Sequence, residues 1–395
     1  MTSADRWLLP DGVDEILPPQ ASRLEQLRRE VLDLYACWGY ELVITPLIEF
    51  LDSLLIVPGN NELQLQTFKI VDQLSGRSMG VRADITSQVA RIDAHGLQRA
   101  TPTRLCYADS VLHTRPQSLL GSRSPIRIGA ELYGHAGTAS DIEVITLMLE
   151  TLAVAGIDKI HLALGHVHIY RSLIRHAALD AALERKLFDA IQRKSCEEIT
   201  TLLQDQNTDG DLLEMLNNLI HLSGGEDILD QAERLFRKAP DGILAAIESL
   251  REITRGIRQR FPRQTLYYDL SELRGYQYHT GVVFATYVPG YGDAIAKGGR
   301  YDHIGEVFGR ARPATGFDAD LKILLALGSR AFHEADKIFA PALADAELQQ
   351  LINQLRADGQ VVVTALEGQT ESARDMACSQ EIVRLNNRWQ VRPIN

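Results

Sequence analysis

The segment Ile126-Arg127-Ile128-Gly129-Ala130-Glu131-Leu132-Tyr133 alternates apolar and polar side chains. Successive side chains of a strand point to opposite faces, so the isoleucines, Ala130 and Leu132 should face a core. Arg127 and Glu131 then share the other face, about 13 Å apart at roughly 3.3 Å per residue. Gly129 lies between them, and glycine inside a strand often marks the close approach of a ligand or another backbone. This face is either the floor of a pocket for a small, zwitterionic ligand or a solvated sheet surface.

The surrounding chain has the mixed order of an α+β protein. Helical spacing is predicted at 24–38, 84–93, 141–155 (capped by Asp141), 321–327 and 344–357, and strands at 41–44, 67–71, 77–82, 104–111, 126–133, 159–164, 266–270, 276–288, 294–297 and 361–365. Residues 170–261 form a run of amphipathic helical patterns with few strand signals and glycine breaks at Gly210 and Gly224-Gly225. We therefore predict an antiparallel sheet core flanked by helices at 1–169 and 262–330, a helical insertion at 170–261 and a short C-terminal α/β domain at 331–395.

Composition limits the class of protein. The chain has 395 residues, 45% of them hydrophobic, and a formal net charge of −11. These values are typical of a globular protein with two to three domains and argue against a broad nucleic-acid binder. The four cysteines form no CxxC pair, which favours a reducing compartment over a disulfide framework. No signal peptide or membrane span is evident, so we predict a cytoplasmic protein.

A second unusual segment is 274–284, which is crowded with polar and aromatic side chains. As a strand it would place Gln277 and His279 on one face and Tyr276 and Tyr278 on the other. Such crowding is costly in a core unless every polar atom is satisfied. The segment is therefore either part of a binding site or a twisted edge strand.

Other candidate ligand groups are weaker. His166 and His168 would share a strand face with a spacing known from metal sites, but no third ligand is evident, so we predict no metal. Arg115 and Arg123 flank a Pro/Ser/Gly-rich loop and either clamp an anion or are solvated. No nucleophile motif, Walker loop or dinucleotide fingerprint is present, and Gly298-Gly299 is predicted to open a turn. We expect no cofactor.

Several ordered motifs together resemble the catalytic core of histidyl-tRNA synthetase, a class II aminoacyl-tRNA synthetase, over roughly residues 8–328. The motifs are Leu9-Pro10-Asp11-Gly12, Trp38-Gly39-Tyr40, Thr45-Pro46, Arg82-Ala83-Asp84-Ile85-Thr86, His113-Thr114-Arg115-Pro116-Gln117, Arg274-Gly275-Tyr276-Gln277-Tyr278-His279 and Gly298-Gly299-Arg300-Tyr301-Asp302.

The sequence departs from this pattern at the positions that contact the nucleotide in the synthetase. Leu112 and Thr114 stand where the synthetase has an Arg and a Glu, and Ile323 stands where it has a second Arg. Removing one transition-state donor costs about 10²–10³ in rate, so losing two independent donors should cost about 10⁴ or more. The tail from residue 331 holds nine acidic and six basic residues, whereas a module that grips tRNA should be basic.

A synthetase core without these groups resembles the regulatory subunit of ATP phosphoribosyltransferase, a participant in histidine biosynthesis. Segments that match this family are Phe68-Lys69-Ile70, 80–86, 91–95, Gly165-His166, 276–281 and Gly316-Phe317. The resemblance implies a non-catalytic chain that activates a short-form catalytic subunit and confers allosteric feedback inhibition by histidine. It also implies synthetase-like dimers within a hetero-octamer, with no tRNA and no membrane as partners. The alternative is a divergent enzyme that activates an amino acid or aminoacylates a carrier.

The same resemblance implies a histidine pocket. Glu131 occupies the position that faces the imidazole, and Asp84 and Thr86 occupy the ammonium site. Arg274 occupies the position that meets the carboxylate or α-phosphate, while Tyr278 and His279 replace a tyrosine pair that closes over the ring. Arg127 stands in place of a Gln, and it either alters the histidine pose or pairs with Asp84 or Glu131. Arg115 is a candidate anion clamp.

Overall fold

The computed structural model describes residues 7–56, 61–116, 121–177, 179–204, 210–239, 242–273, 275–276 and 278–394. The chain divides into two compact units, Met1–Arg330 and Ala331–Asn395.

The described strands are β1 (Glu41–Leu42), β2 (Ile48–Phe50), β3 (Phe68–Val71), β4 (Ser78–Val81), β5 (Thr103–Ser110), β6 (Ile126–Tyr133), β7 (His161–His166), β8 (Ser223–Gly224), β9 (Thr265–Asp269), β10 (Val282–Tyr287), β11 (Ala296–Arg300), β12 (Ala314–Asp320), β13 (Lys337–Ala340), β14 (Val361–Thr364), β15 (Gln380–Leu385) and β16 (Arg388–Pro393). The described α-helices are α1 (Gln20–Cys37), α2 (Leu51–Leu54), α3 (Asn61–Gln66), α4 (Thr86–Arg91), α5 (Thr138–Val154), α6 (Val167–Ala177), α7 (Ala181–Gln192), α8 (Cys196–Gln204), α9 (Gly210–Leu219), α10 (Asp227–Leu235), α11 (Ile243–Arg260), α12 (Leu321–Leu327) and α13 (Ala346–Ala357). A π-helix at Ile92–Leu97 continues α4, and 3₁₀ turns occur at Phe236–Lys238 and Ile304–Phe308.

The larger unit is built on a mixed sheet. Its nine described strands follow the order β1-β5-β6-β12-β11-β10-β7-β9-β8. The pairs β1–β5 and β7–β9 are parallel, and the other pairs are antiparallel. A small antiparallel sheet, β2-β4-β3, lies in the same unit. The predicted α+β class is confirmed, although the large sheet is mixed rather than purely antiparallel.

Helices cover one face of the large sheet. Helix α1 buries Leu24, Leu27, Val31 and Tyr35, an apolar stripe at helical spacing. The ring of Tyr35 meets Phe317 of β12 edge to face, with ring centroids 6.1 Å apart. Helix α5 packs against β6, β11 and β12 beside it. This layer buries the face of β6 that carries Ile128, Ala130 and Leu132, as the alternation predicts.

Three local predictions are wrong. Helix α5 begins at Thr138, before Asp141, whose carboxylate pairs instead with buried Arg300 at 3.0 Å. Gly298 and Gly299 lie inside β11 rather than at a turn. The strand predicted from residue 276 begins only at Val282, because the described residues before it form turns closed by hydrogen bonds to the Leu273 and Gly275 carbonyls.

Helices α6 to α11 fill most of the stretch between β7 and β9. Helix α7 begins at a side-chain cap, because Asp180 accepts hydrogen bonds from the backbone amides of Ala182 and Leu183, both 2.9 Å long. In the smaller unit, a sheet of order β14-β13-β15-β16 packs against α13 around Ile338, Leu348, Ile352, Val362 and Ile382.

Candidate functional site

The sheet face opposite the helices carries a row of cross-strand neighbours. Glu131 of β6 lies opposite Gly316 of β12, which lies opposite Gly299 of β11. The row continues through Val283 of β10 to Gly165 of β7. We call Gly165, Gly299 and Gly316 the glycine floor. With no side chain at three of five positions, the backbone itself forms the base of a trough that begins at Glu131.

A cavity of about 750 Å³ lies above this floor. That volume is within the roughly 300–1,000 Å³ usual for small-molecule sites. Of the residues predicted to form a histidine pocket, six line it: Asp84, Thr86, Arg127, Glu131, Tyr278 and His279. The second face of β6 is therefore a pocket wall, and the interpretation as a solvated surface is wrong.

Glu131 is only 1% exposed and is held by two tyrosines. The Tyr107 hydroxyl donates to Oε1 at 3.3 Å, and the Tyr301 hydroxyl donates to Oε2. Burial raises the pKa of Glu131 to about 8, although the hydrogen bond from Tyr301 acts in the opposite direction. The carboxyl group is thus preorganised, and it titrates in the neutral range.

Gly129 makes room for a side chain rather than for a ligand. A β-carbon at Gly129 would lie 2.4 Å from the Tyr107 ring, which belongs to the directly opposite residue of β5. The close approach that glycine permits therefore brings the Tyr107 hydroxyl to Glu131. Sequence reasoning missed Tyr107, because its place opposite Gly129 follows from the register of β5 and β6, which a single sequence does not specify.

Arg127 forms an ion pair with Asp318 of β12, with Nη1 and Oδ2 2.8 Å apart and side chains 14% and 20% exposed. Asp84 lies close enough that its carboxylate and the Arg127 guanidinium affect each other's protonation. Burial, with a smaller effect from the charge of Asp318, raises the pKa of Asp84. The predicted partners of Arg127 did not include Asp318.

Asp84 is positioned by the start of α4. Its Oδ1 accepts a hydrogen bond of 2.8 Å from the Ile85 amide and one of 3.4 Å from the Thr86 amide. The Thr86 hydroxyl lies 3.4 Å from the same oxygen. This arrangement fixes a carboxylate and a hydroxyl side by side at the cavity wall.

Tyr278 and His279 both line the cavity, so they do not alternate as a strand would require. The Tyr278 ring stacks on Tyr301, with centroids 4.9 Å apart, and meets the His279 ring at 5.2 Å. A β-carbon at Gly299 would lie 2.6 Å from the His279 ring. The absence of a side chain at Gly299 therefore leaves room for the His279 imidazole beside Tyr278 at the cavity wall.

Arg115 and Arg123 do not line the cavity. Arg115 is exposed and is absent from the cavity lining, while Arg274 and Gln277 lie outside the described residues. Arg123 donates to the backbone oxygens of His113 (3.0 Å) and Asp11 (2.9 Å), so it ties two segments together.

His166 ends β7 and His168 lies in α6, so they do not share a strand face as predicted; their rings meet edge to face at 6.3 Å. Within the described part of the chain, no group of three or more His, Cys, Asp or Glu side chains could hold a metal ion. No helix in that part is both long and apolar enough to cross a membrane.

Comparison with known proteins agrees with this geometry. The family profile described as histidyl-tRNA synthetase matches residues 12–324. A solved structure described as an ATP phosphoribosyltransferase regulatory subunit/histidyl-tRNA synthetase from Bacillus halodurans superposes with a TM-score of 0.83 at 26% identity, covering 96% of this chain and 98% of that one. Histidyl-tRNA synthetase from Nostoc sp. PCC 7120 (TM-score 0.76, 18% identity, 96% and 91% covered) shares the fold. The larger unit is thus of the histidyl-tRNA synthetase-like class.

Two further comparisons, one of the C-terminal segment and one of the full chain, specify the family within this class. Residues 335–392 match the profile described as the C-terminal domain of ATP phosphoribosyltransferase subunit HisZ. ATP phosphoribosyltransferase regulatory subunits of Ectopseudomonas mendocina and Chromohalobacter salexigens are 54% and 53% identical, each over 100% of both chains. The chain belongs to the family of ATP phosphoribosyltransferase regulatory subunits. Its role is therefore regulatory and lies in histidine biosynthesis.

Proposed function

We propose that this chain is a non-catalytic subunit that activates a short-form ATP phosphoribosyltransferase catalytic subunit and makes it sensitive to histidine. One observation carries the proposal: a formed cavity of small-molecule size is combined with apolar side chains, Leu112 and Ile323, at the positions of the two nucleotide arginines. Such a chain keeps the means to bind an amino acid and lacks the means to activate it.

In the proposed complex, histidine lies in the cavity above the glycine floor. The Glu131 carboxyl group bonds an imidazole nitrogen, and Tyr278 and His279 cover the ring. Asp84 offers its negative charge to the ammonium group, with Thr86 beside it. Arg274, which lies outside the described residues, is proposed to meet the carboxylate, and Arg127 sets the pose from the ion pair with Asp318.

The residues at the positions that hold the nucleotide in the synthetase pattern support the loss of aminoacylation activity. The Thr114 hydroxyl donates to the Leu65 carbonyl at 2.5 Å, so it is engaged in local structure. Asp320 caps α12 by accepting from the Lys322 amide at 3.0 Å, and it brings a carboxylate to this region. An α-phosphate would meet neither of the two cations that the synthetase pattern supplies.

Assembly is proposed to follow the synthetase pattern. The stretch 42–48 exposes several apolar side chains, including Leu42 (48%), Ile44 (79%) and Ile48 (43%). Clustered exposed apolar groups are typical of interaction surfaces. We infer that this surface forms the homodimer, and that such dimers combine with catalytic subunits into a hetero-octamer.

The test combines two measurements on the purified chain. Calorimetric titration should detect histidine binding, and histidine-dependent ATP–pyrophosphate exchange should remain at background. Exchange at synthetase-like rates would overturn the proposal in favour of a divergent amino-acid-activating enzyme. Co-expression with a short catalytic chain should yield a large complex with histidine-inhibited activity, whereas elution as a lone dimer would favour a histidine sensor without an enzyme partner.

A further inference from the structure

Tyr276 connects the wall of the cavity to the helical insertion. Its hydroxyl donates to Glu184 Oε1 of α7 at 2.6 Å. Its ring lies 5.1 Å from the Tyr170 ring of α6 and 5.6 Å from the Phe188 ring of α7. Arg171 of α6 donates to the Tyr276 carbonyl at 2.5 Å. Tyr276 is therefore attached to two insertion helices by polar and aromatic contacts.

The same turn also carries the side chains that cover the trough. The amides of Tyr278 and His279 both donate to the Gly275 carbonyl at 2.8 Å, and the Tyr276 amide donates to Leu273 at the same distance. Tyr276, Tyr278 and His279 all line the cavity, and Tyr276 also contacts the insertion. A displacement of this tightly bonded turn moves both sets of contacts together.

Helix α7 is itself part of the cavity wall, through Glu184, Arg185 and Phe188. Its far end is fixed to the segment that leads into the turn. Gln192 donates to the Ser271 carbonyl at 3.2 Å, and Lys194, just after the helix, pairs with Asp269 at 2.8 Å. A ligand in the trough would thus have the sheet beneath it and α7 as a second wall.

We propose that α7 is the element through which occupancy of the cavity is transmitted, and that the hydrogen bond from Tyr276 to Glu184 is the connection. A ligand that fixes Tyr278 and His279 orders the turn, and the turn holds α7 against the cavity. Binding and the closed position of α7 then favour each other, because coupling between two sites is reciprocal. This inference rests on the proposed histidine pocket and specifies how its occupancy is communicated.

Hydrogen exchange of the full chain tests the inference, with calorimetry run in parallel. In the wild-type protein, saturating histidine should slow amide exchange in 181–192 by about fivefold or more, at the lower end of typical allosteric coupling. Tyr276→Phe keeps the ring packing and removes the hydroxyl. This variant should still bind histidine, within about tenfold of wild type, but should lose the slowing in α7.

Two further variants separate the hydrogen bond from general damage. Glu184→Gln keeps an acceptor for the Tyr276 hydroxyl and should behave as wild type, whereas Glu184→Met should behave as Tyr276→Phe. Tyr267→Phe, at an exposed tyrosine of β9, is the matched control and should retain the response. Slowing of α7 that persists in Tyr276→Phe, or wild-type binding without any slowing, would overturn the inference. Absence of histidine binding in the wild type would instead overturn the pocket, and the inference with it.

Discussion

Gly316 lies directly across from Glu131 in the antiparallel β6–β12 pair, and a β-carbon at Gly316 would lie 1.5 Å from Glu131 Oε2. The carboxyl group thus occupies the volume that any other residue at 316 would fill. The position of Glu131 therefore depends on the missing side chain at Gly316 as well as on the hydrogen bonds from Tyr107 and Tyr301.

Gly316→Ala should therefore displace the Glu131 carboxyl group and weaken histidine binding by at least about tenfold. Isothermal titration calorimetry measures the loss. Gly292→Ala is the matched control, because a β-carbon there has nothing within 4 Å. Wild-type affinity in Gly316→Ala would show that Glu131 does not contact the ligand.

Glu131→Ala should blunt histidine inhibition of the assembled enzyme while leaving assembly intact. The side chain is buried beneath the cavity, and its hydrogen-bond partners belong to the same sheet region. Because burial favours the neutral form of this carboxyl group, the lost hydrogen bond is worth about 0.5–1.5 kcal/mol, and the inhibition constant should rise by roughly 2- to 10-fold. Inhibition curves and size-exclusion chromatography test both parts. Unchanged inhibition would place the effector site elsewhere.

The raised pKa of Glu131 predicts a pH dependence of stability. Burial moves its pKa from 4.5 to about 8, so between these values the folded chain holds a proton that the unfolded chain releases. The free energy of unfolding contributed by this group therefore falls as pH rises from about 4.5 to about 8. Urea denaturation at several pH values should show a shallower decline in Glu131→Gln than in the wild type. Parallel pH profiles would contradict the assignment.

Loss of one partner of the Arg127–Asp318 ion pair is predicted to destabilise the fold, because the other charge is left unpaired. Arg127→Met leaves Asp318 facing the nearby Asp84 carboxylate, and breaking a buried pair on one side costs about 3 kcal/mol. The double variant Arg127→Met/Asp318→Leu should lose less stability than the sum of the single variants. A double-mutant cycle by urea denaturation measures this difference, and additive losses would contradict it.

Ile44→Asp should shift the chain from dimer to monomer, because it places a charge in the exposed apolar stretch 42–48. Sedimentation equilibrium provides the measurement. Leu74→Asp is the control, since Leu74 is 98% exposed in a different segment, between β3 and β4. A dimer that survives Ile44→Asp would exclude this stretch as the interface.

Strand alternation in β6 was sufficient to predict which residues lie on each face of that strand. It correctly placed Arg127 and Glu131 on the same face. The same rule was wrong for the described residues before Val282, because Tyr276, Tyr278 and His279 form turns that the sequence alone does not distinguish from a strand. Asp141 was predicted to be a helix cap since Asp favours that position, but its true partner, Arg300, is distant in sequence.

The resemblance to a synthetase named six residues that line the cavity, but not the residues that hold the cavity in shape. Gly316 and Glu184 line the cavity, and Tyr107 holds Glu131 beneath it. Their positions depend on cross-strand register or on the insertion, neither of which a single sequence specifies. Asp318 escaped prediction for a related reason. The residue directly opposite Arg127 is Asp320, and Asp318 lies two residues away on the same strand. Only a long side chain such as that of Arg127 reaches across this diagonal.

The glycine floor has a genetic consequence. At Gly316 and Gly299 a single added methyl group would strike the Glu131 carboxyl group or the His279 ring, and at Gly165 it would strike the Asp269 backbone. Substitutions that abolish feedback without removing any functional group should therefore accumulate at these three codons. A selection for growth on a toxic histidine analogue is the setting in which such alleles would be enriched.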